Sequence, residues 1–268
     1  MTYPERIVCL AAEIPEILFR LGALDKVVGI SAYTTRPKEA LGIPKVSGFK
    51  FGSVERIMAV NPDLVILTSG VQKELAAHLA SNGATLLHFN PHRLSDLYET
   101  IQLLGNLVNK FFEAEKLNAD IRAEVAKIED MAQALPVRPR VYFEEWMDPL
   151  ICGTGWVSDL IELAGGEDVF RNKSLSGRTA ASRIVTNEEI LDMAPDIVLA
   201  SWCGKPFERN SFVGRDLYGQ MPAVRNAKVY EVSGEILQFG PMLVDSLKEL
   251  SEMFQQVAQE KWESVHHG

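Results

Sequence analysis

The chain has 268 residues, of which 47% are apolar and 24% charged. That composition is typical of a folded protein, with enough chain for one large domain or two ordinary ones. A formal charge of -9 argues against a phosphate-backbone binder, which needs a basic face, and no stretch reaches the roughly 18–20 consecutive apolar residues of a membrane span.

The start, MTYPERIVCLAAEIPEILF, lacks the basic and long apolar regions of a signal peptide, so as written the chain is expected neither to insert nor to be addressed for export. Short, continuously apolar runs bounded by turn residues then predict buried parallel strands: Arg6–Ala11, Val27–Ser31, Leu64–Thr68 and Thr85–Asn90 in the first half, Val141–Glu144, Ile197–Ser201 and Val229–Ser233 in the second. Cys9, in RIVCLAA, reads as a buried core thiol. With Cys152 and Cys203 it makes an odd set without CxxC spacing, signalling neither a disulfide framework nor a zinc site.

One phrase occurs twice, at a spacing of about half the chain: SVERIMAVNPDLVILT from Ser53 and TNEEILDMAPDIVLAS from Thr186. The copies share Glu55/Glu188, Ile57/Ile190, Pro62/Pro195, Asp63/Asp196 and Val65/Val198. Ser53 and Thr186 predict helix caps, Thr186 to Glu189 fits a capping box, and each proline stops its helix before a buried strand. Between the copies, Asn109–Leu135 has no Gly or Pro and spaces Phe112, Ala114, Leu117, Ile121, Val125 and Ile128 as a helix does, which predicts a connector of about 40 Å. A helical connector restricts hinge motion, so a cleft that changes little on binding is expected.

Strand–helix alternation in both halves predicts an α/β fold of two Rossmann-like lobes with central, mainly parallel sheets, joined by a single long helix. The boundaries are 1–108 for the first lobe, 109–135 for the helix and 136–268 for the second lobe.

No nucleophile elbow, phosphate loop, GxGxxG or HExxH is present, and no catalytic residue is assigned. Gly165-Gly166 follows a helical pattern and reads as a helix C-cap, not a phosphate loop. His88 and His92 are separated by a proline and His78 is the nearest third ligand, so no metal site is assigned.

The aromatics are more informative. Trp146, Trp156 and Trp202, three of the four tryptophans, fall at or just beyond the ends of predicted strands, the edge at which open α/β sheets bind ligands. In the first half Tyr33 follows VVGIS, and Phe49 and Phe51 sit in the loop GFKFG. With Phe239 these aromatics predict a cleft for a broad, flat or apolar ligand. Arg178 and Arg183, in SGRTAASR, are either polar contacts for that ligand or solvated loop charges. Cys203, in SWCGKPFER, also falls just after a strand. Glu55 and Glu188 each sit in the first turn of a helix, where the dipole favours a carboxylate with or without a further role.

Taken together, RIVCLAAEIPEILFRLGALDKVVGIS, SVERIMAVNPDLVI, WVSDLIELAGGEDVF, NEEILDMAPDIVL and MPAVRNAKVYEV resemble the substrate-binding proteins of iron-complex and vitamin B12 ABC importers, most of all the cobalamin-binding branch. The resemblance runs from Arg6 to the last helix. It implies a non-enzymatic monomer that captures a cobalt-containing corrinoid, cobalamin or cobinamide, between its lobes, with no covalent cofactor. It also implies docking of Glu55 and Glu188 onto arginines of a permease dimer. Tyr33 stands where the cobalamin branch has a ligand-facing Tyr and Phe49 where it has a Trp; the second-lobe Trp of that branch is Ser182 here, and a late Asp aligns with Gly234. A ferric siderophore or haem is the alternative ligand, and a corrinoid- or chelate-processing enzyme using Cys203 is the alternative of another class. The family is normally periplasmic or lipid-anchored, whereas a chain native from Met1 would act in the cytoplasm.

Overall fold

The structure, a computed structural model, describes residues 3–48 and 52–266. The first lobe runs β1 (Ile7–Cys9), α1 (Ile14–Arg20), β2 (Val27–Ser31), β3 (Lys45–Ser47), α2 (Val54–Met58), β4 (Leu64–Thr68), α3 (Lys73–Ser81), β5 (Leu86–Phe89) and α4 (Asp96–Leu107). The connector α5 spans Phe111–Gln133, about 35 Å of helix. The second lobe runs β6 (Arg140–Met147), β7 (Leu150–Cys152), α6 (Gly155–Leu163), β8 (Glu167–Asp168), α7 (Arg171–Ser176), α8 (Asn187–Met193), β9 (Ile197–Ala200), α9 (Arg209–Val213), α10 (Pro222–Arg225), β10 (Val229–Glu231) and α11 (Leu243–His266).

The first sheet is wholly parallel, in the order β3-β2-β1-β4-β5. Its central strands are apolar but for Ser31 and Thr68 at their C-terminal ends, because helices cover both faces; Val8, Leu10, Val46, Val65 and Leu67 pack with Ile57 of α2 and Leu75 and Leu79 of α3. The second sheet has the order β10-β9-β6-β7, with β8 also pairing β6 and β7 antiparallel to it. There Tyr142, Val198 and Val229 pack with Ile190, Phe212 and Tyr218. The short strands KVS, LIC and ED leave no readable pattern in the sequence, because two or three residues are too few to show a period.

The repeated phrase has the same local structure in both copies. The Ser53 hydroxyl accepts the Arg56 N–H, and the Thr186 hydroxyl accepts the Glu189 N–H while the Glu189 carboxylate accepts that of Thr186. The residue before each proline has positive φ, Asn61 at 48° and Ala194 at 43°; Ala194 caps α8 directly, whereas α2 ends at Met58 and is capped by Ala59. The following aspartate then clamps the first strand of its lobe. Asp63 accepts the N–H groups of Glu5 and Arg6 at 2.8 and 3.0 Å and donates its own to the Arg6 carbonyl; Asp196 accepts the Arg140 N–H at 2.8 Å and donates its own to the Arg140 carbonyl. Pro-Asp is thus kept in both copies by a specific job, aligning one sheet strand with the next. Gly165, at φ +95°, closes α6 in the left-handed conformation of a C-cap, with the Gly166 N–H returning to the Ile161 carbonyl.

By contacts the chain forms two units. One holds residues up to Pro91 with Ser95–Ile121 and Phe239–Pro241; the other holds His92–Leu94, Arg122–Gln238 and Met242 onward, so the division falls inside α5. Among the described residues no helix is long and apolar enough to cross a membrane.

Candidate ligand-binding site

In the second unit the rim is built at the C-terminal ends of β6, β9 and β10. Strand β6 carries adjacent carboxylates, Glu144 and Glu145, which the pleat sends to opposite faces of the sheet. A charge inside a buried strand needs a partner, and each has an arginine. Glu144, with no exposed surface, takes both terminal nitrogens of Arg215 at 2.6 and 2.9 Å, the Trp202 indole N–H at 3.0 Å and the Tyr142 hydroxyl at 3.2 Å. Glu145 takes Arg183 at 2.6 and 3.0 Å, and Arg183 also donates to the Cys152 carbonyl.

These pairs correct the reading of Arg183 and narrow that of Trp202. Arg183 is 5% exposed, so it is neither a solvated charge nor available to a ligand. Trp202 is also 5% exposed, with its N–H turned inward to Glu144 and its ring edge-on to Phe207. Its remaining surface lines a cavity of about 370 Å³ together with Lys205, Pro206, Glu231, Val232 and Gly234. That volume lies at the low end of the roughly 300–1,000 Å³ of sites for drug-sized ligands, so it admits a small ligand or one substituent of a much larger one.

Trp146 is half-buried at the end of β6; its N–H donates to the Asp148 carbonyl and the Lys205 ammonium lies 5.7 Å from its ring. Trp156, in the first turn of α6, is half-buried and donates to the Ile236 carbonyl at 3.0 Å. Arg178 is exposed. Cys203 is exposed beside the cavity, and partial desolvation, then the Glu145 charge, push its thiol above the ordinary range. Among the described residues no group of His, Cys, Asp and Glu is arranged to hold a metal; the His88 and His92 rings contact the carbonyls of Ser69 and Leu175.

In the first unit Tyr33 follows β2 and is 54% exposed. Phe49 and Phe51 lie outside the described residues. Phe239 is withdrawn, at 3% exposure, because its ring is enclosed by core packing; this too corrects a rim assignment. Just after β1 sits Glu13, which burial pushes from the ordinary 4.5 up to about 7 against a smaller opposing backbone hydrogen bond. Glu55 and Glu188 are both exposed and occupy the same position, the second residue of α2 and of α8. Backbone and Thr186 hydrogen bonds hold the Glu188 carboxyl below the ordinary range, so it is ionised at neutral pH.

Sequence reading missed Glu144, Arg215, Lys205, Glu231 and Glu13. The first had a signal: two glutamates inside the otherwise buried run VYFEEWM require buried cations to match.

One wholly parallel and one mainly parallel α/β sheet, connected through one long helix, make the fold of a bilobal solute-binding protein. Residues 7–235 match the family described as periplasmic binding protein, and the chain belongs to that family, the substrate-binding class of ABC transporters. It is 26% identical over 256 residues to an uncharacterized ABC transporter substrate-binding lipoprotein, YvrC, of Bacillus subtilis, covering 93% of this chain and 79% of the relative. It is likewise 26% identical over 266 residues to a vitamin B12-binding protein of Vibrio parahaemolyticus, covering 96% and 92%. Among solved structures, the periplasmic heme-binding protein RhuT of Roseiflexus sp. RS-1, in apo form, superposes with a TM-score of 0.76 at 26% identity, covering 95% of this chain and 99% of that one.

Proposed function

We propose that this chain captures a corrinoid, cobalamin or cobinamide, reversibly and as a monomer, for delivery to an ABC importer or for handling in the cell. The observation that carries the reading is the pair of tryptophans at the end of β6 and the start of α6 in the second unit, Trp146 and Trp156, half-buried with their N–H groups engaged by backbone carbonyls; in the first unit Tyr33 is exposed at the end of β2. Similarity to a vitamin B12-binding protein along nearly the whole chain supports it. Haem or a ferric chelate is the second reading, favoured by the likeness to a heme-binding protein at the same identity.

Glu55 and Glu188 are proposed as the permease contacts, supported by their exposure and matched positions. The protein is proposed to be non-enzymatic: among the described residues no histidine acts on Cys203, and burial and the Glu145 charge push its thiol towards the unreactive protonated form. Titration of tryptophan fluorescence with cyanocobalamin, cobinamide, haemin and a ferric hydroxamate, checked by calorimetry, tests the ligand. Saturable binding of a corrinoid at about 1 μM or tighter is expected; absence of corrinoid binding below about 100 μM overturns it.

A further inference from the structure

The cavity beside Trp202 carries two opposite charges. Lys205 and Glu231 both line it, and among the described residues neither takes part in an ion pair with the other or with any third group. Lys205 has the Trp146 ring 5.7 Å away, and Glu231 accepts the Phe207 N–H at 2.9 Å through one oxygen. The ammonium is a donor only and the carboxylate an acceptor only. A ligand carboxylate would gain from Lys205 and be repelled by Glu231; an ammonium would meet the reverse. A neutral group offering an acceptor and a donor side by side is matched by both.

We infer that this cavity is a subsite for a primary carboxamide of the ligand, whose oxygen accepts from Lys205 and whose N–H donates to Glu231, with the Trp202 and Val232 side chains against its carbon stem. The inference rests on the corrinoid reading and sharpens it: corrinoids carry primary carboxamides around the ring, whereas haem carries carboxylates. Lys205 and Glu231, both exposed at the mouth of the cavity, are then specificity-determining residues that admit the amide and reject the acid, because an unmatched group forfeits a charge-assisted hydrogen bond.

The test uses cyanocobalamin and its b-, d- and e-monocarboxylic acids, in each of which one carboxamide has become a carboxylate. These are titrated at neutral pH against the wild type, Glu231→Gln and Lys205→Met, with the fold of each variant checked by circular dichroism and melting. At least one acid is expected to bind the wild type about tenfold more weakly than the parent, with that penalty lost in Glu231→Gln, while Lys205→Met weakens the parent by about tenfold. If the parent binds but every acid binds equally well, or the penalty persists in Glu231→Gln, the subsite is overturned and the corrinoid reading stands. If only cobinamide binds, the corresponding acids of cobinamide are titrated in the same way; if neither cyanocobalamin nor cobinamide binds the wild type, both fall together.

Discussion

Arg215 sets its two terminal guanidinium nitrogens 2.6 and 2.9 Å from the two oxygens of Glu144, a carboxylate with no exposed surface. The guanidinium also lies 4.8 Å from the Phe212 ring and 5.4 Å from that of Tyr218, so the pair ties β6 to the segment after α9. Removing one partner strands a buried charge. Arg215→Met and Glu144→Ala are each expected to lower stability by roughly 3–5 kcal/mol, and the double variant Glu144→Leu/Arg215→Met to recover much of that loss. Urea denaturation of the three variants measures this; additive losses would show that the pair is not coupled.

Glu13 makes stability depend on pH. Its folded-state value of about 7 exceeds the ordinary 4.5, so the folded protein holds this proton more tightly than the unfolded chain. Its contribution is complete below pH 4.5 and is lost as pH rises to about 7, a change of roughly 3 kcal/mol. Glu13→Gln is expected to match the wild type near pH 4.5 and exceed it in stability at pH 8, as read from urea midpoints at the two pH values.

Gly155 opens α6, and a Cβ there would overlap the His92 carbonyl oxygen, which is backbone and has no rotamer to escape into. Gly155→Ala is expected to cost roughly 1–3 kcal/mol. Gly219 faces open space and provides the control: Gly219→Ala should stay within about 0.5 kcal/mol of the wild type. Thermal melting distinguishes the two, and equal effects would contradict the packing account.

Cys203 is exposed, yet desolvation and the Glu145 charge raise its thiol. Its alkylation by iodoacetamide at pH 7.5 is expected to be slower than that of glutathione, since only the thiolate reacts. Cys203→Ser is expected to leave ligand affinity within about twofold of the wild type, and a larger loss would favour a role for the thiol in binding or chemistry.

Glu55→Ala and Glu188→Ala remove exposed charges in first helical turns and are expected to change stability by less than about 1 kcal/mol. Ligand titrations should be unchanged. Stimulation of a reconstituted cognate permease's ATPase should fall with either variant and further with both; full stimulation by the double variant would refute the docking role.

The sequence by itself determined the elements that depend on local rules. Continuous apolar runs became the buried parallel strands, with Val27–Ser31 and Leu64–Thr68 bounded as read, because a strand covered on both faces has no polar positions to interrupt it. Ser53, Thr186 and Gly165 took their caps because capping involves residues only a few positions apart. The repeat also located Glu55 and Glu188 at one equivalent helical position.

What faces the rim was decided only by the tertiary structure. The indole N–H of Trp202 turns inward because the fold brings Glu144, distant in sequence, within 3.0 Å of it, leaving only its remaining surface to the cavity; Arg183 looked like a loop charge until Glu145 reached it from β6. Lys205 and Glu231 share a cavity because β9 and β10 are neighbours in the sheet, not because any motif joins them. In the first two cases a buried polar group had to find its partner somewhere, and in all three which groups come within reach is fixed by strand order and sheet face, which the local pattern of residues does not encode.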